Sequence, residues 1–168
     1  TMAVALRHRG QPDEARDWLD RAIATTPTDP QARGERALLR LRARDLVSAI
    51  DDVEHAGRSR TAQLLRARIL IVGRRYAEAL QTLVEIDDPT HPEKLVLEAG
   101  VALGLREYAH AAACCRASFA ARPSVEAALN LAVALESMGD AAAALAAIGE
   151  GLRLDPDHPA LLARHRRV

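Results

Sequence analysis

Three groups of side chains in this chain have types and spacings that could do chemistry. The first is His110 with Cys114, four residues apart, and Cys115 beside them. On a helix, positions i and i+4 share a face, which is suitable two-ligand spacing for zinc. A closed zinc site needs four ligands, and no second His/Cys pair is spaced to complete it. The two thiols cannot bond to each other, because neighbouring Cα atoms lie ~3.8 Å apart, short of the ~4.4–6.8 Å that a disulfide spans. Both cysteines are therefore expected to be buried structural thiols, with no metal and no cofactor.

The second group is a stripe of arginines. Arg33, Arg36, Arg40 and Arg44 recur at spacings of three and four, so a helix would carry all of them on one face. Residues 30–76 hold 11 basic and 5 acidic groups, a net +6, while residues 1–29 stand at −1 and residues 77–168 at −5. Arg58, Arg60, Arg66, Arg74 and Arg75 lie in the same basic stretch. Such a stripe could meet phosphates or an acidic partner. Binders of single-stranded nucleic acid interleave aromatics for base stacking, and Tyr76 is the one aromatic nearby. Glu35, Asp45, Asp51 and Glu54 can pair with the arginines. A solvated, salt-bridged face is the leading expectation, a protein-partner patch the second, and nucleic acid the third.

The third group comprises acid pairs and scattered histidines. Asp51–Asp52 and Asp87–Asp88 read as solvated helix or turn acids. His91–Pro92 and His158–Pro159 read as solvated junctions between loop and helix, and His8, His55 and His165 stand alone. No glycine-rich phosphate loop, Ser-His-Asp order or paired-carboxylate site is recognisable. The chain is not read as an enzyme.

What positions these residues follows from composition and periodicity. The 168 residues include 23 basic and 23 acidic groups, so a globally basic nucleic-acid binder is excluded. Hydrophobic residues make up 49%, too many for a disordered chain. Thirty-five residues are Ala and only four are aromatic, which argues against an all-β fold and for an all-α one. A chain of this length usually forms one domain. No apolar run approaches the ~18 residues of a membrane span, and no signal peptide is apparent. Two adjacent cysteines outside any disulfide framework fit a reducing cytoplasm. The chain opens inside an expected helix, Met2–Arg9, and reads as a segment of something longer.

A repeat runs through it. Ala15, Leu19 and Ala22 form a small–bulky–small set at i, i+4, i+7. The set recurs as Ala49, Val53, Ala56, then Ala79, Leu83, Ile86, then Ala111, Cys115, Ser118, and last Ala144, Ile148, Gly151. The leading alanines are 34, 30, 32 and 33 residues apart. Each set lies on one face of a helix, and the small leading residue lets another helix approach. A turn precedes each helix, at Gly10–Gln11, Arg44–Asp45, Gly73–Arg74, Arg106–Glu107 and Gly139–Asp140. Pro27, Pro123 and Pro156 follow twelve residues after the leading alanine and act as helix stops. Each unit is therefore helix, turn, helix and proline-bearing loop. The units fall at 1–29 (partial), 30–59, 60–91, 92–124 and 125–158, with residues 159–168 beginning a capping helix.

This pattern resembles the tetratricopeptide repeat, whose period is ~34 residues. The closest stretches are Leu64 to Leu80, Leu131 to Asp140 and Leu152 to Asp157. The resemblance implies one all-α domain over residues 1–168, an α-solenoid of antiparallel helix-turn-helix repeats wound as a right-handed superhelix. It also implies a concave groove, lined by the first helix of each pair, that binds a peptide segment or a partner protein. The groove residues it points to are Leu64, Arg68 and Ile71, then Val96, Gly100 and Leu103, then Leu129, Asn130 and Val133. Arg7, Glu35, Leu38 and Arg42 would extend them. Gly100 and Gly104 would serve close helix packing. Co-chaperone members hold acidic tails with a clamp of Lys, Arg and Asn. Lys94 and Asn130 are the only residues of their types, so that clamp cannot be assembled here.

The function expected is a non-enzymatic interaction scaffold. The alternative is a recognition arm of a larger enzyme, such as a sulfotransferase or glycosyltransferase, as in some relatives with a catalytic domain after their repeats. Partners would be proteins or peptides, without a membrane. Self-association through an open N-terminal repeat is a further expectation.

Overall fold

A computed structural model of the chain describes residues 12–167, in which every regular element is a helix. The expected helix Met2–Arg9, the turn Gly10–Gln11, the groove residue Arg7 and the open start of the N-terminal repeat lie outside the described residues. Ten helices follow: α1 Pro12–Thr25, α2 Pro30–Arg42, α3 Leu46–His55, α4 Arg60–Val72, α5 Tyr76–Val84, α6 Pro92–Gly104, α7 Tyr108–Ala121, α8 Val125–Ser137, α9 Ala141–Leu154 and α10 Pro159–His165. They are arranged as sequential antiparallel pairs in a repeat array. The helices group into two compact units divided between Arg75 and Tyr76.

Local signals start and stop these helices. Pro30, Pro92 and Pro159 occupy first turns, where a missing N–H costs nothing. The carboxylate of Asp29 accepts from the N–H groups of Gln31 and Ala32 at 2.9 and 3.2 Å. Asp45, Ser59, Ser124 and Asp140 cap α3, α4, α8 and α9 in the same way. Such caps satisfy N–H groups that the helix leaves without partners. Loops carrying Pro27, Pro123 and Pro156 follow α1, α7 and α9.

The turn from first to second helix is the same device four times. Asp45 N–H donates to the Arg40 carbonyl at 2.9 Å, and Arg44 N–H to Leu41 at 3.1 Å. The pattern recurs with Arg75 and Arg74, with Glu107 and Arg106, and with Asp140 and Gly139. These bonds define a Schellman end, whose penultimate donor adopts the left-handed region. Gly139 does so at φ 81°, but Arg44, Arg74 and Arg106 occupy it at 64°, 59° and 64°. A side chain there costs about 1–2 kcal/mol, and glycine's extra freedom in the unfolded chain returns about 0.5–1 kcal/mol. Arg106→Gly is therefore expected to stabilise the protein by about 0.5–1 kcal/mol. A rise in the urea midpoint at unchanged slope is the expected reading.

The cores follow the repeating sets. Ala15, Ala49, Ala79, Ala111 and Ala144 are all 0% exposed. The bulky slots Leu19, Val53, Leu83, Cys115 and Ile148 are buried with them. In the first unit, Leu19 and Ile23 of α1 meet Ala32 of α2. Ala49 and Val53 of α3 meet Ala37 of α2 with Ala62 and Ile69 of α4. In the second unit, Ala102 of α6, Ala111 and Ala112 of α7 and Ala134 of α8 form one cluster. Ala132 and Leu135 of α8, Ile148 of α9 and Leu161 of α10 share another. Two glycines are set by close approach. A Cβ on Gly104 would collide with the ring of Tyr76, and one on Gly151 would press on Leu161 and Ala128.

Candidate functional site

The candidate groove residues sit on first helices, in both units. In the first unit, Arg68 and Ile71 of α4 are half-buried, as are Glu35 and Leu38 of α2, while Arg42 is exposed. In the second unit, α6 and α8 lie side by side. Gly100 and Leu103 of α6 and Leu129, Asn130 and Val133 of α8 are half-buried there. Leu103 borders the alanine cluster of α6 to α8, and Leu129 borders the Ile148 cluster. The side chain of Asn130 forms no hydrogen bond among the described residues, so its amide keeps a donor and an acceptor unused on an apolar face.

Two of the nine residues need correction. Leu64 and Val96 are each only 5% exposed and belong to the core. Each stands three residues before a fully buried alanine, Ala67 and Ala99, and turns inward with it. The half-buried Arg68 and Gly100, four residues on, take the outward side.

The arginine stripe also needs correction. Asp52, read as a solvated acid, is 0% exposed, and three of the four stripe arginines converge on it. Arg36 donates from Nε to Asp52 Oδ2 at 2.9 Å and from a terminal nitrogen to Oδ1. Arg40 donates to Asp52 Oδ2 at 2.7 Å and to the Ser48 carbonyl at 2.9 Å. Arg33 reaches Asp52 Oδ1 at 3.3 Å. Arg36 also grips Asp20 of α1 at 2.6 Å, so the network ties α1, α2 and α3 together. The hydrogen bond to Asp52 is the largest of the causes that raise the Arg36 pKa above its ordinary value. Only Arg44 of the candidate basic patch remains exposed, at a turn. A stripe whose guanidiniums are committed to a buried carboxylate has little left for phosphates. One signal could have shown this: Asp52 stands three residues after Ala49 and four before Ala56, on the buried face of α3.

The cysteines lie on α7, against Ala99 of α6. Cys115 packs with Ala99 and Cys114, and burial pushes its thiol up to about 12. Cys114 is raised too, first by burial and then by the charge of Glu98, and its Sγ lies 3.7 Å from His110 Nε2. Neutral, enclosed thiols are poor nucleophiles. Among the described residues, no group of three or more His, Cys, Asp and Glu could hold a metal ion. Lys94 is buried, with Nζ donating to the Ile86 carbonyl at 2.9 Å.

Glu98 is a titrating group in this region. Burial holds its carboxyl above the ordinary 4.5, against the pull of Lys94 and His110. A carboxyl raised on folding contributes stability below its unfolded value and loses it as pH rises through the folded one. Glu98→Gln is therefore expected to stabilise the protein at neutral pH. The difference from the parent should disappear below about pH 4.5, as thermal melts across pH would show.

Comparison with known proteins agrees with this architecture. Two family models, each described as tetratricopeptide repeat, match residues 1–41 and 96–159. No curated protein matches the chain. Among solved structures, the chain is similar to TTC0263, a thermophilic TPR protein of Thermus thermophilus. That match has 21% identity and a TM-score of 0.87, over 99% of this chain and 94% of that one. It is also similar to MamA 41-end of Desulfovibrio magneticus RS-1, at 15% identity and a TM-score of 0.68, over 94% and 93% of the two chains. A third is YrrB, described as a TPR protein with an unusual peptide-binding site, at 17% identity and a TM-score of 0.61, over 98% and 88%. The chain belongs to the tetratricopeptide repeat family. Proteins of this family are generally protein-interaction scaffolds. No helix among the described residues is long and apolar enough to cross a membrane.

Proposed function

We propose that the chain is a non-enzymatic scaffold that holds a peptide segment or partner protein on the outward face of its first helices. The observation that carries this reading is the α6–α8 face. Leu103, Leu129 and Val133 are left half-buried there, around the unused amide of Asn130. Apolar side chains supply burial, and an amide can bond both a peptide N–H and a carbonyl, whatever the side chains of the guest. Arg68 and Ile71 on α4 offer a similar mixture in the first unit.

The test is affinity capture from a lysate of the source organism, followed by titration of the captured protein against variants. Asn130→Ala is expected to weaken binding about fivefold to tenfold, the worth of one net hydrogen bond. Val133→Arg should remove binding while helical circular dichroism is retained. A captured partner that binds both variants as well as the parent contradicts the reading.

A further inference from the structure

Three arginines occupy a backbone position where glycine is the more stable residue. Arg44, Arg74 and Arg106 sit in their turns at φ 64°, 59° and 64°, whereas the fourth such turn uses Gly139 at 81°. The repeat therefore does not require arginine there, and folding alone would select glycine. Residues held in strained regions cluster where function keeps them. All three arginines are exposed, and none forms an ion pair or a side-chain hydrogen bond among the described residues.

In the first unit two of these turns come together. α2 and α4 are in contact through Ala37, Ala62 and Ile69. Because sequential helices are antiparallel, α2 and α4 run in the same direction. Their C-terminal ends therefore lie at one edge, with axes about 8–10 Å apart. That edge presents Arg42 and Arg44 from one turn and Arg74 from the other, all exposed. The negative helix ends favour cations there, but Arg40 and Arg42 in the last turn of α2 already serve that purpose without a left-handed backbone. Asp45 is the one carboxylate in residues 42–46 and 72–75, and it is committed to the Ser48 N–H at 3.2 Å. Arg75 already has an interaction of its own.

Guanidiniums bind carboxylates and phosphates in the same fork geometry. Two features choose the carboxylates of a protein. Val72, 36% exposed, and the exposed Ala43 stand among the arginines and offer apolar contact. No aromatic side chain stands in either turn to stack a base. Two to three residues of extended chain span about 7–10 Å, so one acidic segment reaches both turns.

We propose that the edge formed by Arg42, Arg44 and Arg74 docks an extended acidic segment of a partner protein. This surface is separate from the outward face of the first helices, and the two readings stand or fall independently.

The experiment titrates the chain into a labelled, capped peptide in which aspartate and glutamate alternate with serine, and follows anisotropy at rising salt. Binding is expected at low salt and should weaken as salt is added. The same peptide with asparagine and glutamine in place of the acids should not bind. Arg44→Gly and Arg74→Gly should each weaken binding about twofold to fivefold, the worth of one exposed ion pair, and together about tenfold. Both should raise the urea midpoint, so that the loss of binding cannot come from a loss of fold. Arg58→Gln removes the same charge from an exposed position outside the two turns and should leave binding unchanged. Three results would overturn the inference: no binding of the acidic peptide at low salt, equal losses from Arg44→Gly and Arg58→Gln, or tighter binding of a single-stranded oligonucleotide of equal charge. The last would make the edge a phosphate-binding surface instead.

Discussion

Asp52→Ala is expected to lower the unfolding free energy by about 3–5 kcal/mol, the range for removing one partner of a buried ion pair. Asp52 is 0% exposed, and the side chains of Arg33, Arg36 and Arg40 around it are 12%, 13% and 26% exposed. Without the carboxylate, three guanidiniums would face one another in a poorly solvated space. Two of them, Arg36 and Arg40, would lose their shortest bonds to α3. The loss comes from stranded charge rather than from a missing attraction. Asp52→Ala combined with Arg36→Met should therefore recover part of it, giving a double-mutant coupling of about 1–3 kcal/mol. Urea unfolding of the four proteins measures both quantities. A loss within about 0.5 kcal/mol, the range of an ordinary surface change, would mean that the network does not hold α1, α2 and α3 together.

Ile148→Ala is expected to cost about 2–5 kcal/mol, as truncations of fully buried aliphatics do. Ile148 is 0% exposed and lies in a cluster with Leu135 of α8 and Leu161 of α10. The vacated space borders helices that cannot close on it, because Ala144, Ala147 and Ala132 around it are already small. The loss should appear first as faster amide exchange in α9 and α10, which share that cluster. Leu145, on the same helix but 37% exposed, is the control. Its replacement by alanine should stay within about 0.5 kcal/mol. Equal losses at the two positions would show that the bulky slot of the repeat does not define the core.

The parts of the fold that rest on short-range rules were legible in the sequence. The leading alanines mark the buried face of every second helix because close approach admits only small side chains there. The turns were visible as Arg44–Asp45, Gly73–Arg74, Arg106–Glu107 and Gly139–Asp140, although three arginines stand where the backbone favours glycine. Features that depend on distance between helices were not legible. Leu64 and Val96 were assigned outward because a helical face is broad, and a step of three or four residues decides whether a side chain follows Ala67 or Arg68. Asp52 looked like half of a surface acid pair because its three partners come from another helix.

The central claim is that the outward face of the first helices is where a partner binds. The most direct measurement is hydrogen exchange across the whole chain, with and without a captured partner. The account predicts slowed exchange in first helices, strongest in α6 and α8 around Leu103 and Asn130, with α5, α7 and α9 unchanged. Protection confined to α5, α7 and α9, with α6 and α8 exchanging as in the free chain, would contradict it.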